Sequence, residues 1–355
     1  MVYVGGVVAV QRRSVLLGLA LAPFWGTRAM AAARRVVAIG PGALRMVAYL
    51  GATDLLVGCE DVERRLPNAS TYRLALPQRV RTLPSLGPGG PGRLPDLEQL
   101  LAVHPDLAVS VALDAQQVQA LSQRAGIPAL SLSFGETGIL REDTVVDAWR
   151  RLGAALGREH RAAELAAFFQ ASIAELQSRL RGQPRVPTYL GGVSLSGSHG
   201  IASTQAGHLP LVWAGARNLA DQTGRSGHLF LDREQLLAWD PTVLFIDGGG
   251  LPGIVAEYAR DPALYQRLRA VRERRVYLTL PFNAYNANVE NALANAWFMA
   301  KVLHPQALAT LHIEAKAGEI LRGFLGADLL PALAKLGYGQ GLLDLASGRW
   351  TPLSA

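Results

Sequence analysis

Residues 94–111 read LPDLEQLLAVHPDLAVSV, and residues 230–247 read FLDREQLLAWDPTVLFID. At one constant offset Asp96 matches Asp232, Glu98 matches Glu234, Gln99 matches Gln235, Leu100-Leu101-Ala102 matches Leu236-Leu237-Ala238, and Pro105 matches Pro241. Two copies fall short of the three or more units that a stacked repeat needs, so the likeness points to two lobes of similar build. Two facing lobes enclose a cleft, and clefts at domain junctions are where small molecules bind.

The repeated segment spells out its own local structure. Asp96 and Asp232 are good N-cap residues, and Gln99 and Gln235 stand at the capping-box position three residues on. Leu97, Leu100 and Leu101 give one copy an apolar helical stripe, as Leu236 and Leu237 do for the other. Each helix must end ahead of Pro105 or Pro241, because proline disfavours the helical state of the residue before it. The runs Leu107–Val111 and Val243–Ile246 then read as short buried strands, which makes each copy half of a parallel βαβ unit. Glu98 and Glu234 fall in the first helical turn, where the helix dipole favours a carboxylate. Helix stabilisation alone accounts for them at this level.

Outward from the repeat, strands and helices alternate. A strand over Arg35–Ile39 leads through Gly40-Pro41-Gly42 into a helix from Ala43 to Leu50, and the Gly- and Pro-rich Leu83–Pro95 must be loop. Helices are expected over Asp143–Leu156 and Arg158–Leu180; Leu165, Phe169, Ile173, Leu176 and Leu180 stripe the second, which would run roughly 35 Å and bridge two lobes. Strands at Pro187–Gly191, Val243–Ile246 and Arg275–Leu280 follow, with a helix over Val289–Val302. The order predicts an α/β fold with parallel sheets: a first lobe over 32–157, a linking helix over 158–182 and a second lobe over 183–355.

The first 31 residues have the layout of a bacterial export signal: Arg12-Arg13, an apolar run from Val15 to Phe24, then Ala29-Met30-Ala31. The arginine pair resembles a twin-arginine motif, and the apolar run is short for a membrane span. A periplasmic protein is expected. The formal charge is +7, three of it from Arg12, Arg13 and Arg28, and the remaining arginines are scattered rather than gathered on a basic face that would suit nucleic acid. Cys59 is the only cysteine, so no intramolecular disulfide and no cysteine metal site can form; a buried, inert thiol is expected.

Catalytic patterns fail on inspection. Gly87–Gly92 lacks the lysine of a phosphate loop, and Ser198 lacks the preceding glycine of a nucleophile elbow. His199, His208 and His228 do not have the helical spacing of a zinc pair. Two loops look built for a ligand instead. Ser194–Gly200 offers hydroxyls, an imidazole and backbone N–H groups, and Pro281–Asn288 offers amides and aromatic rings. Both follow strands, and ligands of open α/β sheets bind outside the carboxyl ends of strands.

Ile39-Gly40-Pro41-Gly42-Ala43-Leu44-Arg45, the two Glu-Gln-Leu-Leu-Ala segments, the long helix and Asn291-Ala292-Leu293-Ala294-Asn295-Ala296 together resemble the substrate-binding proteins of ABC importers, in the group that handles iron-siderophores, haem and cobalamin. That resemblance implies two Rossmann-like lobes joined by one rigid helix, no catalysis and no resident cofactor or metal. It also implies a monomer that meets a membrane permease through a glutamate on each lobe, here Glu98 and Glu234. The candidate ligand residues are Gly42, Arg45, Tyr72, Ser198, His199, Asn283, Tyr285 and Asn288. Arg45, Ser198 and His199 would serve an oxyanion such as molybdate or tungstate. Tyr72, Phe282 and Tyr285 would suit a ferric chelate, the favoured ligand. A chelatase-like enzyme shares the bilobal build and stands as the reading from another class.

Overall fold

The computed structural model describes residues 32–65, 69–111, 113–136, 139–195 and 197–353. The expected export signal lies outside the described residues, and no helix among them is long and apolar enough to cross a membrane.

The first lobe is built on three parallel strands, β1 (Val36–Ile39), β2 (Leu107–Ser110) and β3 (Ala129–Ser131), with β2 in the middle. Val36 pairs with Leu107 and Ala108 with Ala129, so the strand carboxyl ends line up on one edge. The second lobe contains β4 (Val186–Gly191), β5 (Ser203–Ala206), β6 (Ala216–Asn218), β7 (Gly227–Phe230), β8 (Val243–Asp247), β9 (Val276–Thr279), β10 (Gly341–Leu343) and β11 (Trp350–Thr351). Its main sheet runs β11-β10-β9-β8-β4-β6, parallel from β6 to β9 and antiparallel at β10 and β11. β5 and β7 form a separate antiparallel pair. Burial on both faces explains why β1, β2 and β8 read as unbroken apolar runs rather than alternating ones.

The helix Glu159–Arg179 joins the lobes. Its stripe, Leu165, Phe169, Ile173 and Leu176, is buried in a core shared by elements of both lobes. Edge-on aromatic pairs cross that core in series: Tyr49 to Phe324 (centroids 5.1 Å), Phe324 to Trp149 (5.8 Å), Trp149 to Phe169 (5.4 Å) and Phe169 to Trp213 (5.7 Å). Each such pair contributes about 1 kcal/mol beyond its buried area, so the link is a packed core and not a flexible strap. The helix Val289–Leu303 is buried around almost its whole circumference, as its near-absence of exposed polar residues demands.

The repeated segments fold alike. Helices Leu97–Ala102 and Arg233–Trp239 begin at Asp96 and Asp232, and each chain then turns through a left-handed residue just before its proline, His104 (φ 44°) and Asp240 (φ 41°). The capping differs from the expectation. Asp96 accepts from Gln99 N at 3.0 Å, but Asp232 accepts from Glu234 N, also at 3.0 Å, and neither helix has the reciprocal glutamine bond. The complete capping box stands elsewhere, at Asp114 and Gln117. Cys59 is buried, and loss of solvent pushes its thiol up to about 12, well clear of thiolate chemistry at neutral pH.

Candidate functional site

A cavity of ≈ 550 Å³ lies between the lobes, walled by loops that leave the carboxyl ends of six parallel strands. Pro41 follows β1, Val111 follows β2, and Ser133 to Glu136 follow β3. From the second lobe come Ser194 and Leu195 after β4, Gly249 after β8, and Asn283 to Asn286 after β9. Both sheets therefore point the ends that bind ligands in such folds at one space. The size falls in the usual range for small-molecule sites.

Asp247, the last residue of β8, organises the second-lobe half of this wall. Its carboxylate accepts from Phe282 N (3.0 Å), Gly249 N (3.1 Å) and Ser194 N (3.4 Å), one from each of the three loops. It is fully buried, and burial lifts its pKa to about 6 against the lowering pull of those bonds. Asn283 ties two of the loops directly, donating to Ser194 O at 2.8 Å. The Ser194 hydroxyl has no hydrogen-bond partner among the described residues, although it is buried at the cavity wall.

Tyr285 and Asn286 are consecutive left-handed residues (φ 54° and 77°), a costly backbone state for a bulky side chain. The surrounding bonds hold it. The Tyr285 hydroxyl accepts from Gly90 N at 3.0 Å and donates to Glu60 at 3.1 Å, both in the first lobe. Asn286 donates to Pro41 O at 3.2 Å.

Of the eight residues marked in the sequence, Asn283 and Tyr285 line the cavity. Arg45 does not; it is fully buried, with its amino groups donating at 2.7 Å to Ala287 O, Ala284 O and Asn288 Oδ1. Asn288 is buried as well and donates to Ala69 O and Pro281 O, both at 2.9 Å. Tyr72 lies under the Arg45 guanidinium, 4.6 Å from its ring centroid, and donates its hydroxyl to Glu63. Arg45 and Asn288 tie the lobes together, and Tyr72 braces Arg45 from within the first lobe. Ser198 and His199 are not among the residues that line the cavity. Ser198 Oγ accepts from Gly253 N near the start of the helix Leu251–Arg260, and His199 Nε2 bonds Leu195 O at 2.8 Å. Gly42 acts from beneath the wall: at φ 90° its missing Cβ leaves room for the Phe134 ring, whose Cε2 would sit 2.5 Å from such an atom.

Phe134, Glu136 and the Pro91-Gly92 turn are site residues that sequence reading passed over. The rule that singles out the loops after β4 and β9 applies equally to the loop after β3. The Gly-rich 87–92 stretch reads only as flexible.

The molecule matches the family model described as periplasmic binding protein over residues 36–281. The chain belongs to that family. No curated protein matches it in sequence. Among solved structures it resembles an ABC transporter solute binding protein from Sulfurospirillum deleyianum DSM 6946, with TM-score 0.64 and 21% identity over 86% of this chain and 94% of that one. The molybdate periplasmic binding protein MolA of Haemophilus influenzae, solved with molybdate, gives TM-score 0.65 and 21% identity over 84% and 94%. A periplasmic heme binding protein from Pseudomonas aeruginosa gives 0.53 and 21% over 77% and 94%. At such identities the likeness is one of fold: two α/β lobes with parallel sheets and a cleft between them. Membership makes the chain a binding protein by family.

Proposed function

We propose that the protein captures a ferric-siderophore or similar metal chelate in the interlobe cavity, delivers it to a permease, and performs no bond chemistry. The observation that carries the ligand choice is the wall itself. It places the rings of Phe134 and Tyr285 beside Ser133, Asn283 and Asn286, with Glu136 as its carboxylate, and no Lys, Arg or His among the described lining residues. A cationic donor would strengthen the hold on a bare oxyanion, and Arg45, the arginine marked for that task, already satisfies three protein oxygens. A bulky chelate needs volume, mixed polarity and aromatic faces, which the cavity has. On this reading residues 1–31 direct export, and the mature chain works as a monomer in the periplasm.

Calorimetric titration with a ferric trihydroxamate, a ferric catecholate, haem, cobalamin, molybdate and tungstate tests the choice. Saturable binding of at least one chelate is expected, without product formation. Saturation by the oxyanions alone would reverse it, and turnover of a tetrapyrrole would favour the chelatase-like alternative.

Glu98 and Glu234 are the proposed permease contacts. Both are exposed at the starts of their helices. The approach of Arg267 to Glu234, 3.9 Å between well-exposed groups, is worth at most about 1 kcal/mol and does not withhold that carboxylate from a partner. Glu98→Ala with Glu234→Ala should abolish uptake and leave ligand affinity unchanged; a large loss of affinity would count against a docking role.

A further inference from the structure

The two copies of the repeat each leave an apolar side chain in the open at the same place. Six large hydrophobic residues are exposed among the described residues, and three of them, Leu94, Leu101 and Phe230, lie in the repeat. Leu94 and Phe230 occupy matching positions, two residues before the N-caps Asp96 and Asp232 and four before Glu98 and Glu234. A single exposed leucine needs no explanation, but a matched pair beside matched carboxylates does.

Phe230 is also braced. Its ring is 57% exposed, yet it stands edge-on to both His199 and His228 at 5.0 Å between centroids. Those imidazoles are themselves fixed, His199 on Leu195 O and His228 on Ser203 Oγ, each at 2.8 Å. Leu94 is followed by Pro95, which restricts the backbone that carries it. A side chain already held in place, as that of Phe230 is, loses little freedom when covered, which is the profile of an interface anchor.

We propose that each lobe presents a compound anchor, Leu94 with Glu98 and Phe230 with Glu234, to the importer's permease, whose receiving face carries an arginine or lysine beside an apolar hollow, twice over. The proposal rests on the docking reading above and adds the apolar half of the contact. Exposed carboxylates call for a basic partner, and equal residues at equal offsets on two lobes call for a partner with two like sites. The carboxylates set orientation and encounter; the apolar side chains hold the complex once formed.

The test compares Leu94→Ser with Phe230→Ser, singly and together, for binding to the permease in lipid nanodiscs, with the melting temperature as a folding check. Val212→Ser, at an exposed apolar residue outside the repeat, is the control. Docking should weaken roughly tenfold for each anchor removed, with unchanged melting, while the control docks normally. Normal docking by the serine variants, alongside its loss in Glu98→Ala with Glu234→Ala, would overturn the anchors and leave the glutamate contacts standing. Normal docking by both sets would overturn both. Self-association of the wild-type chain that the serine variants abolish would assign the surface to a second copy instead and equally overturn the proposal.

Discussion

Tyr285, from the loop after β9, donates its hydroxyl to Glu60 of the first lobe across the cleft at 3.1 Å. Glu60 also accepts from Gly40 N at 3.0 Å, so one carboxylate joins the loop after β1 to the wall of the opposite lobe. It is 1% exposed, and burial raises its pKa from the ordinary 4.5 to about 7 despite both bonds.

Stability should therefore decline as pH rises through neutrality. Between the ordinary and the raised value the folded chain keeps a proton that the unfolded chain releases. The favourable contribution of Glu60 is complete at low pH and is lost as pH climbs through about 7. Denaturant unfolding from pH ~5 to ~8 should show a fall on the order of 3 kcal/mol from this group. Glu60→Gln, which keeps an acceptor for the phenol, should flatten the upper part of the profile. A residual slope below about pH 6 should survive in that variant, because Asp247 is shifted in the same direction. A profile that Glu60→Gln leaves unchanged would show that Glu60 is charged throughout.

Arg45 sets up a second test. Its guanidinium spans from the helix Ala43–Tyr49 to Ala284, Ala287 and Asn288 of the other lobe. Arg45→Ala strands two buried acceptors, Ala287 O and Asn288 Oδ1, while Ala284 O keeps the Ser70 hydroxyl, and it removes a cation whose charge opposes the burial-driven rise of the Glu290 carboxyl. A loss of about 3 kcal/mol in stability is expected, larger than for an arginine that merely faced a ligand. Thermal melting of the unliganded variant decides between the two. An unaltered melting temperature would return Arg45 to the list of free ligand donors.

The architecture was readable because it is written in chain-local terms. Apolar runs bounded by Gly and Pro gave the strands, and the 94–111 and 230–247 segments gave two lobes with matched glutamates. Site membership depends instead on which polar groups the fold has already consumed. Arg45, Tyr72 and Asn288 are the right chemical types, yet their partners lie more than 200 residues away or inside a pre-formed cluster with Glu63. The pattern of a single segment carries no trace of such long-range pairing. Phe134 was hidden for a related reason: its place depends on the void above Gly42, and a missing Cβ signals a close approach without naming what approaches.

Gly42→Ala should reveal that approach. The new methyl would meet Phe134 Cε2 at 2.5 Å and would sit at φ 90°, where an L side chain is strained. The ring must leave the cavity wall, and chelate affinity should fall by about tenfold, with about 2 kcal/mol lost in stability. Adding Phe134→Ala removes the clash but not the backbone strain. The double variant should recover part of the stability and none of the affinity. Full recovery of affinity would mean that Phe134 does not touch the ligand.

Asp247 provides the most direct test of how the wall is held. Three loops depend on its two oxygens, and each bond to an ionised, buried acceptor is worth about 2 kcal/mol. Asp247→Ala should cost stability and also speed hydrogen exchange at the Ser194, Gly249 and Phe282 amides relative to the rest of the second lobe. Asp247→Asn retains one carbonyl acceptor, so only part of that protection should be lost. The pattern matters more than the size. If the carboxylate positions the wall, the three amides lose protection together although 88 residues separate the first from the last in the chain. Independent changes, or protection left intact, would mean that each loop is held by its own contacts, with Asn283 to Ser194 O as the remaining tie between two of them.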